Sequence, residues 1–210
     1  RSHGSRLLKT RAPTWPCWLP AWRWLWALLA AAALLMSLLH WVDDASWTPS
    51  GDQSVHLMAT MSLWHDQDLR YSETDLARFD ATFPSAEGPR GIFLKVNPSG
   101  EIYFAKPFLY ALASTPFYGL MGTRGFLVLN FLALGVMVLV AFRCIRTAVG
   151  ASQAHGLTMV FFALSPYVAW LSVIHPDLLI SALICVAGYR LLTATTPVAM
   201  VLGGLLLGLS

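Results

Sequence analysis

The stretch that decides the fold is GFLVLNFLALGVMVLVAF, residues Gly125–Phe142. It contains no charged residue, and as an α-helix it would rise about 27 Å, close to the thickness of the hydrocarbon core of a bilayer. Arg143 and Arg146 follow it directly. An uncharged run of this length with basic residues at one end is typical of a transmembrane helix whose basic end is cytoplasmic.

Further apolar runs predict further spans at Trp24–Val42, at Leu157–Ile174, at Leu178–Leu192 and from Val198 onward. The composition agrees, since 56% of the residues are hydrophobic, 12% are charged and the mean hydropathy is +0.58. A soluble domain carries about 25% charged residues, so an ordinary soluble globule and a disordered chain are both excluded. We therefore expect an all-α polytopic membrane protein.

The charges orient these spans. Residues 1–23 are basic and predict a cytoplasmic N-terminus, and residues 24–42 form the first transmembrane helix. Residues 43–123 form an extracytoplasmic loop, which holds ten of the eleven acidic residues. Residues 124–210 contain the further transmembrane helices, and the last apolar run is too short to cross a bilayer. We therefore expect the N-terminal part of a longer chain, truncated at its C-terminal end.

The outer loop begins with a predicted helix on the membrane surface. Ser50 is expected to cap it, with Gln53 three residues later in a capping-box spacing. Asp52 and His56 are four residues apart and would share one face of this helix. Apolar residues at Leu57, Met61 and Trp64 would form its membrane-facing side.

A β-hairpin and a second juxtamembrane helix follow in the same loop. The segments Gly91–Val96 and Glu101–Phe104 flank the turn sequence Asn-Pro-Ser-Gly, which predicts the hairpin. Phe108–Met121 is apolar but short and contains a proline, so we expect a helix in the outer interface instead of a span. Pro107 would be its first residue, which places Lys106 at its N-terminus.

The ordered set of motifs resembles the GT-C superfamily of membrane glycosyltransferases, which includes protein O-mannosyltransferases and aminoarabinose transferases. The resemblance is nearest to uncharacterised bacterial members and covers roughly residues 24–192. It is carried by Asp52-Gln53, Asp66-Gln67-Asp68-Leu69, Gly100-Glu-Ile-Tyr103, Lys106-Pro107-Phe108-Leu109, Pro116-Phe117-Tyr118-Gly119, Leu129-Asn130, Ala163-Leu-Ser-Pro166 and His175-Pro176-Asp177-Leu178. Gln53 and Phe108 stand where the family more often has a second acid or Gly and a second Pro.

The resemblance implies an inverting glycosyltransferase of the cell envelope. Such an enzyme is a multi-pass protein of the cytoplasmic (inner) membrane, with its active site facing outside. It transfers a sugar from a polyprenyl-phosphate donor to a glycan, lipid or protein acceptor. The bilayer is then a partner as well as a solvent, and nucleic acid is not expected to bind.

That reaction needs a base for the acceptor hydroxyl and a positive charge for the leaving phosphate. We assign the base to Asp52 and the phosphate contact to Lys106, with Arg124 as a weaker alternative. Asp177 would hold the acceptor, a metal or Lys106. His56 and His175 would bind substrate or join the two aspartates around a divalent cation, which is the one cofactor considered.

Each of these residues also has a purely structural interpretation. Asp52 and Asp177 would each cap a helix, and Lys106 would reach lipid headgroups. The two histidines would make interfacial hydrogen bonds. For the whole chain, the alternative is a non-enzymatic transporter or lipid-binding protein, although transporters usually place ionisable groups at the bilayer midplane.

Overall fold

The computed structural model of this chain describes residues 48–193 and 196–209, together with Ala31. The predicted basic N-terminus and, apart from Ala31, the predicted first span lie outside the described residues. The described chain is mostly helical, with one small two-stranded sheet.

Seven α-helices follow one another along the described chain, and we number them in order. They are α1 (Asp52–His65), α2 (Glu73–Thr82), α3 (Leu109–Met121), α4 (Arg124–Val149), α5 (Ala151–Ala163), α6 (Asp177–Thr193) and α7 (Pro197–Leu209). The two strands are β1 (Leu94–Val96) and β2 (Ile102–Phe104), and short 3-10 helices occupy Gly91–Phe93 and Pro166–Ser172.

The predicted span at Gly125–Phe142 lies within α4. Among the described residues, this is the one single helix that is long and apolar enough to cross a membrane. The predicted span at Leu157–Ile174 is instead broken, because α5 ends at Ala163 and the 3-10 helix Pro166–Ser172 continues at an angle of 59°. Pro166 lacks a backbone N–H, which prevents the helix from continuing unchanged.

Two further predicted spans are helical but short. The segment predicted at Leu178–Leu192 is α6, and the apolar run from Val198 is α7. Helix α6 has 17 residues and would rise about 25 Å, and α7 has 13. The helical content of the prediction is therefore confirmed, whereas a multi-pass arrangement stays a prediction.

Helix α1 forms where it was predicted but is not an amphipathic surface helix. Every residue from Ser54 to Ser62 is buried, so the helix is enclosed on all sides. Trp64, assigned to the apolar face, is instead 46% exposed. The predicted Ser50 cap is also wrong, because Gly51 is the N-cap residue and no side chain caps this helix.

The hairpin is confirmed, with Leu94 paired to Phe104 and Val96 to Ile102 in antiparallel register. Gly100 has φ +86°, a backbone conformation that a turn at this position needs and that favours glycine. Helix α3 is confirmed too, but it begins at Leu109 after an N-cap at Phe108. Pro107 therefore precedes the helix instead of starting it.

Helices α3 and α4 approach so closely that one position between them accepts only glycine. A Cβ atom at Gly125 would overlap the backbone carbonyl of Phe117. Phe126 and Leu127, which follow Gly125, are completely buried and join the core around α1. The first turn of α4 is therefore fixed against α3 by backbone contact.

We predict that Gly125→Ala destabilises the protein by about 1–3 kcal/mol, because the added methyl group has to displace packed backbone. Gly135→Ala is the matched control, since Gly135 lies in the same helix with open space around its Cβ position. It should be neutral or stabilising by up to about 1 kcal/mol. Thermal unfolding of the two purified variants in detergent measures the difference, and equal melting temperatures would contradict this account of the packing.

Candidate active site

Four of the residues predicted from the sequence meet at the start of α1. The Nζ atom of Lys106 lies 2.8 Å from Oδ1 of Asp52. Nε2 of His175 lies 3.5 Å from the other carboxylate oxygen of Asp52, and Nδ1 of His175 lies 3.0 Å from Oδ1 of Asp177. The cluster therefore joins three segments that are distant in the sequence, and its side chains remain partly exposed.

Asp52 is held at the first turn of α1 by the glycine before it. Gly51 has φ +56°, and Cζ of Phe93 lies 3.6 Å from where a Cβ atom of Gly51 would be. The carboxylate of Asp52 does not cap the helix, since both of its oxygen atoms contact residues from elsewhere in the chain. The helix-cap interpretation of Asp52 is therefore wrong.

Lys106 lies directly after the hairpin, whose base fixes its position. The backbone N–H of Ala105 donates to the carbonyl oxygen of Phe93 at 2.9 Å, which fixes the residue before Lys106. The Nζ atom then lies 5.6 Å from the centre of the Phe93 ring, within the range of a cation–π contact. The same aromatic ring thus supports both Gly51 and Lys106.

A buried polar network fixes the segment that carries His175. The side-chain amide of Asn130 on α4 donates to the carbonyl oxygen of Val173 at 2.7 Å. The hydroxyl of Tyr110 on α3 donates to Oδ1 of Asn130 at 3.1 Å. Asn130 and Tyr110 are both buried. Ile174, which lies between Val173 and His175 in the chain, is completely buried as well.

This positioning role of Tyr110 and Asn130 was not predicted. Asn130 formed part of the family resemblance but had no assigned function. A lone polar residue inside an apolar run of eighteen was the available signal, because a polar group at such a depth requires hydrogen-bond partners.

The electrostatics of the cluster keep Asp52 ionised. The hydrogen bond and charge of Lys106, with a smaller contribution from His175, lower the pKa of the Asp52 carboxyl group against the opposing effect of partial burial. An ion pair with this degree of exposure contributes at most about 1 kcal/mol to stability. The arrangement therefore favours the ionised form of Asp52 and contributes little to the stability of the fold.

His56 lies beneath the cluster and not at its surface. Its side chain is buried, with its ring centre 5.3 Å from that of Tyr110 and 6.1 Å from that of His175. Burial, followed by the positive charge that His175 carries when it is protonated, lowers the pKa of His56 to about 4. His56 is therefore a neutral packing residue here, and a direct contact with substrate is not supported.

The remaining predicted roles are not all met. Arg124 is exposed at the first residue of α4, and within the described chain no ion pair joins it to Asp52 or Asp177. Asp177 contacts His175 instead of Lys106. Within residues 48–193 and 196–209, no three His, Cys, Asp or Glu side chains form a group able to hold a metal ion. The proposed cation site around Asp52 is thus not supported by this geometry.

Other acidic residues between α1 and α3 have structural partners. Arg78 binds both carboxylate oxygens of Asp66, at 2.8 and 3.1 Å, and also Asp75. Asp75 completes a capping box with Ser72 at the start of α2. Glu101 pairs at 2.9 Å with Arg70, which precedes α2 and forms an isolated β-bridge with Tyr103 of β2.

A cavity of about 300 Å³ lies away from this cluster, against α2 and the segment after it. Its walls include Tyr71, Asp80, Glu87 and Arg90, but none of the four clustered residues. The Ser54 hydroxyl of α1 donates to the carbonyl oxygen of Glu87 in the wall of the cavity at 3.2 Å. The cavity is therefore separate in its lining from the Asp52 cluster.

Comparison of the chain with protein-family models found no match, and comparisons with curated proteins and with solved structures found none either.

The buried His56 predicts a specific pH dependence of stability. Between pH 6.5 and about 4 the unfolded chain binds a proton on this imidazole and the folded chain does not, so stability falls as the pH falls. The loss attributable to His56 should reach about 3 kcal/mol at pH 4.

Chemical unfolding of wild type and His56→Leu across this pH range measures the difference in slope. The variant should lose less stability on acidification than the wild type. His65→Leu, at an exposed histidine of the same helix, is the matched control and should keep the wild-type slope. A His56→Leu protein with an unaltered slope would show that His56 does not titrate in this way.

Proposed function

We propose that this chain carries the catalytic centre of a GT-C type glycosyltransferase, which transfers a sugar from a polyprenyl-phosphate donor to an acceptor on the outer face of a membrane. The observation that carries the proposal is the contact of Lys106 Nζ with Asp52 Oδ1 at 2.8 Å. It brings a carboxylate and an ammonium group together from residues that are 54 positions apart in the sequence.

The two groups match the two charges that the reaction handles. The acceptor oxygen attacks the anomeric carbon, the bond to the phosphate oxygen breaks, and the acceptor proton moves to a base. Asp52 is ionised and partly exposed, so it is able to receive that proton. Lys106 stabilises the negative charge that grows on the leaving phosphate.

The surface of the helices supports a membrane setting for this centre. On α4, Leu132, Val136 and Leu139 are exposed and spaced to form one stripe. On α5 and at Leu164 directly after it, exposed apolar residues recur in the same way, the first three being Leu157, Val160 and Phe161. Water is a poor solvent for such stripes, whereas lipid chains solvate them well.

We predict that Asp52→Asn lowers sugar transfer by about 10²–10⁴-fold, because the amide cannot accept the proton. The full-length protein in vesicles would receive polyprenyl-phosphate-linked mannose, glucose or galactose, and release of free polyprenyl phosphate would be measured. Glu73→Gln, at an exposed acid of the same outer segment, is the control and should remain active.

Two outcomes would contradict the proposal. One is that Asp52→Asn turns over as fast as the wild type. The other is that the wild type consumes none of these donors although it binds undecaprenyl phosphate, which would favour a lipid-binding protein without catalysis.

We also predict that Lys106→Met weakens the binding of undecaprenyl phosphate about tenfold or more, because one charge-assisted contact with the phosphate is lost. Lys95→Met removes a lysine from strand β1 of the same hairpin, where the side chain is exposed, and should bind as the wild type does. Titration of each protein in detergent with undecaprenyl phosphate, followed by its thermal stabilisation, provides the measurement. Equal affinities for the two variants would exclude Lys106 as the phosphate partner.

A further inference from the structure

His175 lies between two carboxylates in a way that a substrate-binding residue does not require. Its Nε2 atom faces Asp52 at 3.5 Å, and its Nδ1 atom faces Asp177 at 3.0 Å. The exposed fraction of the side chain is 35% for Asp52, 23% for His175 and 47% for Asp177. The series of three side chains therefore ends at Asp177, the most exposed of them.

We infer that His175 is a proton relay, which takes the acceptor proton from Asp52 and passes a proton on to Asp177 and the solvent. The inference rests on the proposed function, because it concerns the fate of the proton that the glycosyl transfer releases. It assigns to His175 and Asp177 a role in the catalytic cycle that neither donor nor acceptor binding would require.

The relay balances the reaction. A sugar linked to a polyprenyl phosphate forms a phosphodiester with one negative charge, and transfer leaves a phosphate monoester together with one proton. That proton first protonates the Asp52 carboxylate. It then moves to Nε2 of His175 while the proton on Nδ1 moves to Asp177, which releases it to water. Asp52 and Asp177 are then back in their starting states. His175 is left with its proton on Nε2 and regains the starting tautomer by giving that proton to water and taking one up on Nδ1.

The charged groups around His175 suit this role. Asp52 on α1 and Asp177 on α6 are the two carboxylates that contact its ring nitrogens. Lys106 contacts Asp52 from the hairpin side, and His56 on α1 and Tyr110 on α3 lie beneath. Lys106 cannot itself receive the proton, because an ammonium group has donors and no acceptor.

An imidazole is the side chain best suited to carry a proton at neutral pH, since it binds and releases one close to that pH. The lowered pKa of Asp52 agrees with the direction of transfer, because a carboxyl group with a low pKa gives up its proton readily. The relay gives that proton a path to Asp177, whose side chain is more exposed than that of Asp52.

The transfer from Nδ1 of His175 to Asp177 needs only a small change in side-chain geometry. The Asp177 oxygen is at ion-pair distance from Nδ1 but does not meet the geometry of a hydrogen bond. The carboxyl group of an aspartate turns about a broad torsional minimum, and Asp177 is nearly half exposed. A turn of that carboxyl group therefore brings it in line with the ring N–H.

The test compares turnover and its pH dependence in wild type, His175→Gln, His175→Gly and Asp177→Asn, with the full-length protein in vesicles and whichever of the three hexose donors the wild type consumes. His175→Gln should lower kcat about 10²-fold with a nearly unchanged donor KM. Added imidazole should restore much of the turnover of His175→Gly. His65→Gln is the control, since this exposed histidine on α1 should tolerate replacement.

The outcomes separate the relay from the proposed function. If Asp52→Asn is inactive while His175→Gln keeps the wild-type kcat and pH profile, the relay is wrong and the catalytic role of Asp52 stands. Loss of kcat that imidazole does not restore, in a protein that unfolds like the wild type, would also overturn the relay. If Asp52→Asn remains fully active, the proposed function itself fails. Should His175→Gln not fold, Asp177→Asn, at the exposed end, still decides the matter, because the relay requires its turnover to fall.

Discussion

The burial of α1 is the constraint on which the rest of the described structure depends. Nine consecutive residues of this helix, from Ser54 to Ser62, are shielded from solvent although three of them, Ser54, Thr60 and Ser62, carry hydroxyl groups. Each hydroxyl donates to a carbonyl oxygen, as Thr60 does to His56 at 2.8 Å, so burial leaves none of them without a hydrogen bond. Because α1 is fixed in this way, its first residue, Asp52, is a rigid point to which the hairpin and the His175 segment attach.

The sequence predicted the helices and the hairpin of this structure better than it predicted which of their residues are buried. The apolar run at Gly125–Phe142, the Asn-Pro-Ser-Gly turn and the helix after Lys106 depend on local signals, and the described chain contains all three. The burial of α1 depends on α3, α4 and the segment after Ser172, which come much later in the chain. Periodicity within one helix does not reveal that several others will surround it.

For the candidate site, too, the sequence predicted which residues take part but not which of them contact one another. Asp52, Lys106, His175 and Asp177 were identified by residue type and by the order of their motifs, and the structure brings them together. Their mutual partners were not predictable, since the acceptor, a metal and Lys106 were the alternatives for Asp177, which instead contacts His175. The positions of His56 and Arg124 were also not predictable, because the degree of burial of a polar residue depends on packing across the whole chain.

The distance along the sequence between a carboxylate and its partners distinguishes Asp52 from Asp66 and Asp75. Asp66 and Asp75 bind Arg78 and Ser72, which lie within 12 positions of them, so these contacts stabilise local turns and helix ends. The oxygen atoms of Asp52 instead contact Lys106 and His175, which are 54 and 123 positions away along the chain. Closing loops of this length costs conformational entropy, and an exposed ion pair returns at most about 1 kcal/mol. The fold therefore brings these groups together through its buried core, through Ile174, Asn130 and the base of the hairpin, and not through the attraction between the charges. The cluster is therefore partly exposed on a framework held by packing, which suits the catalytic role proposed for it.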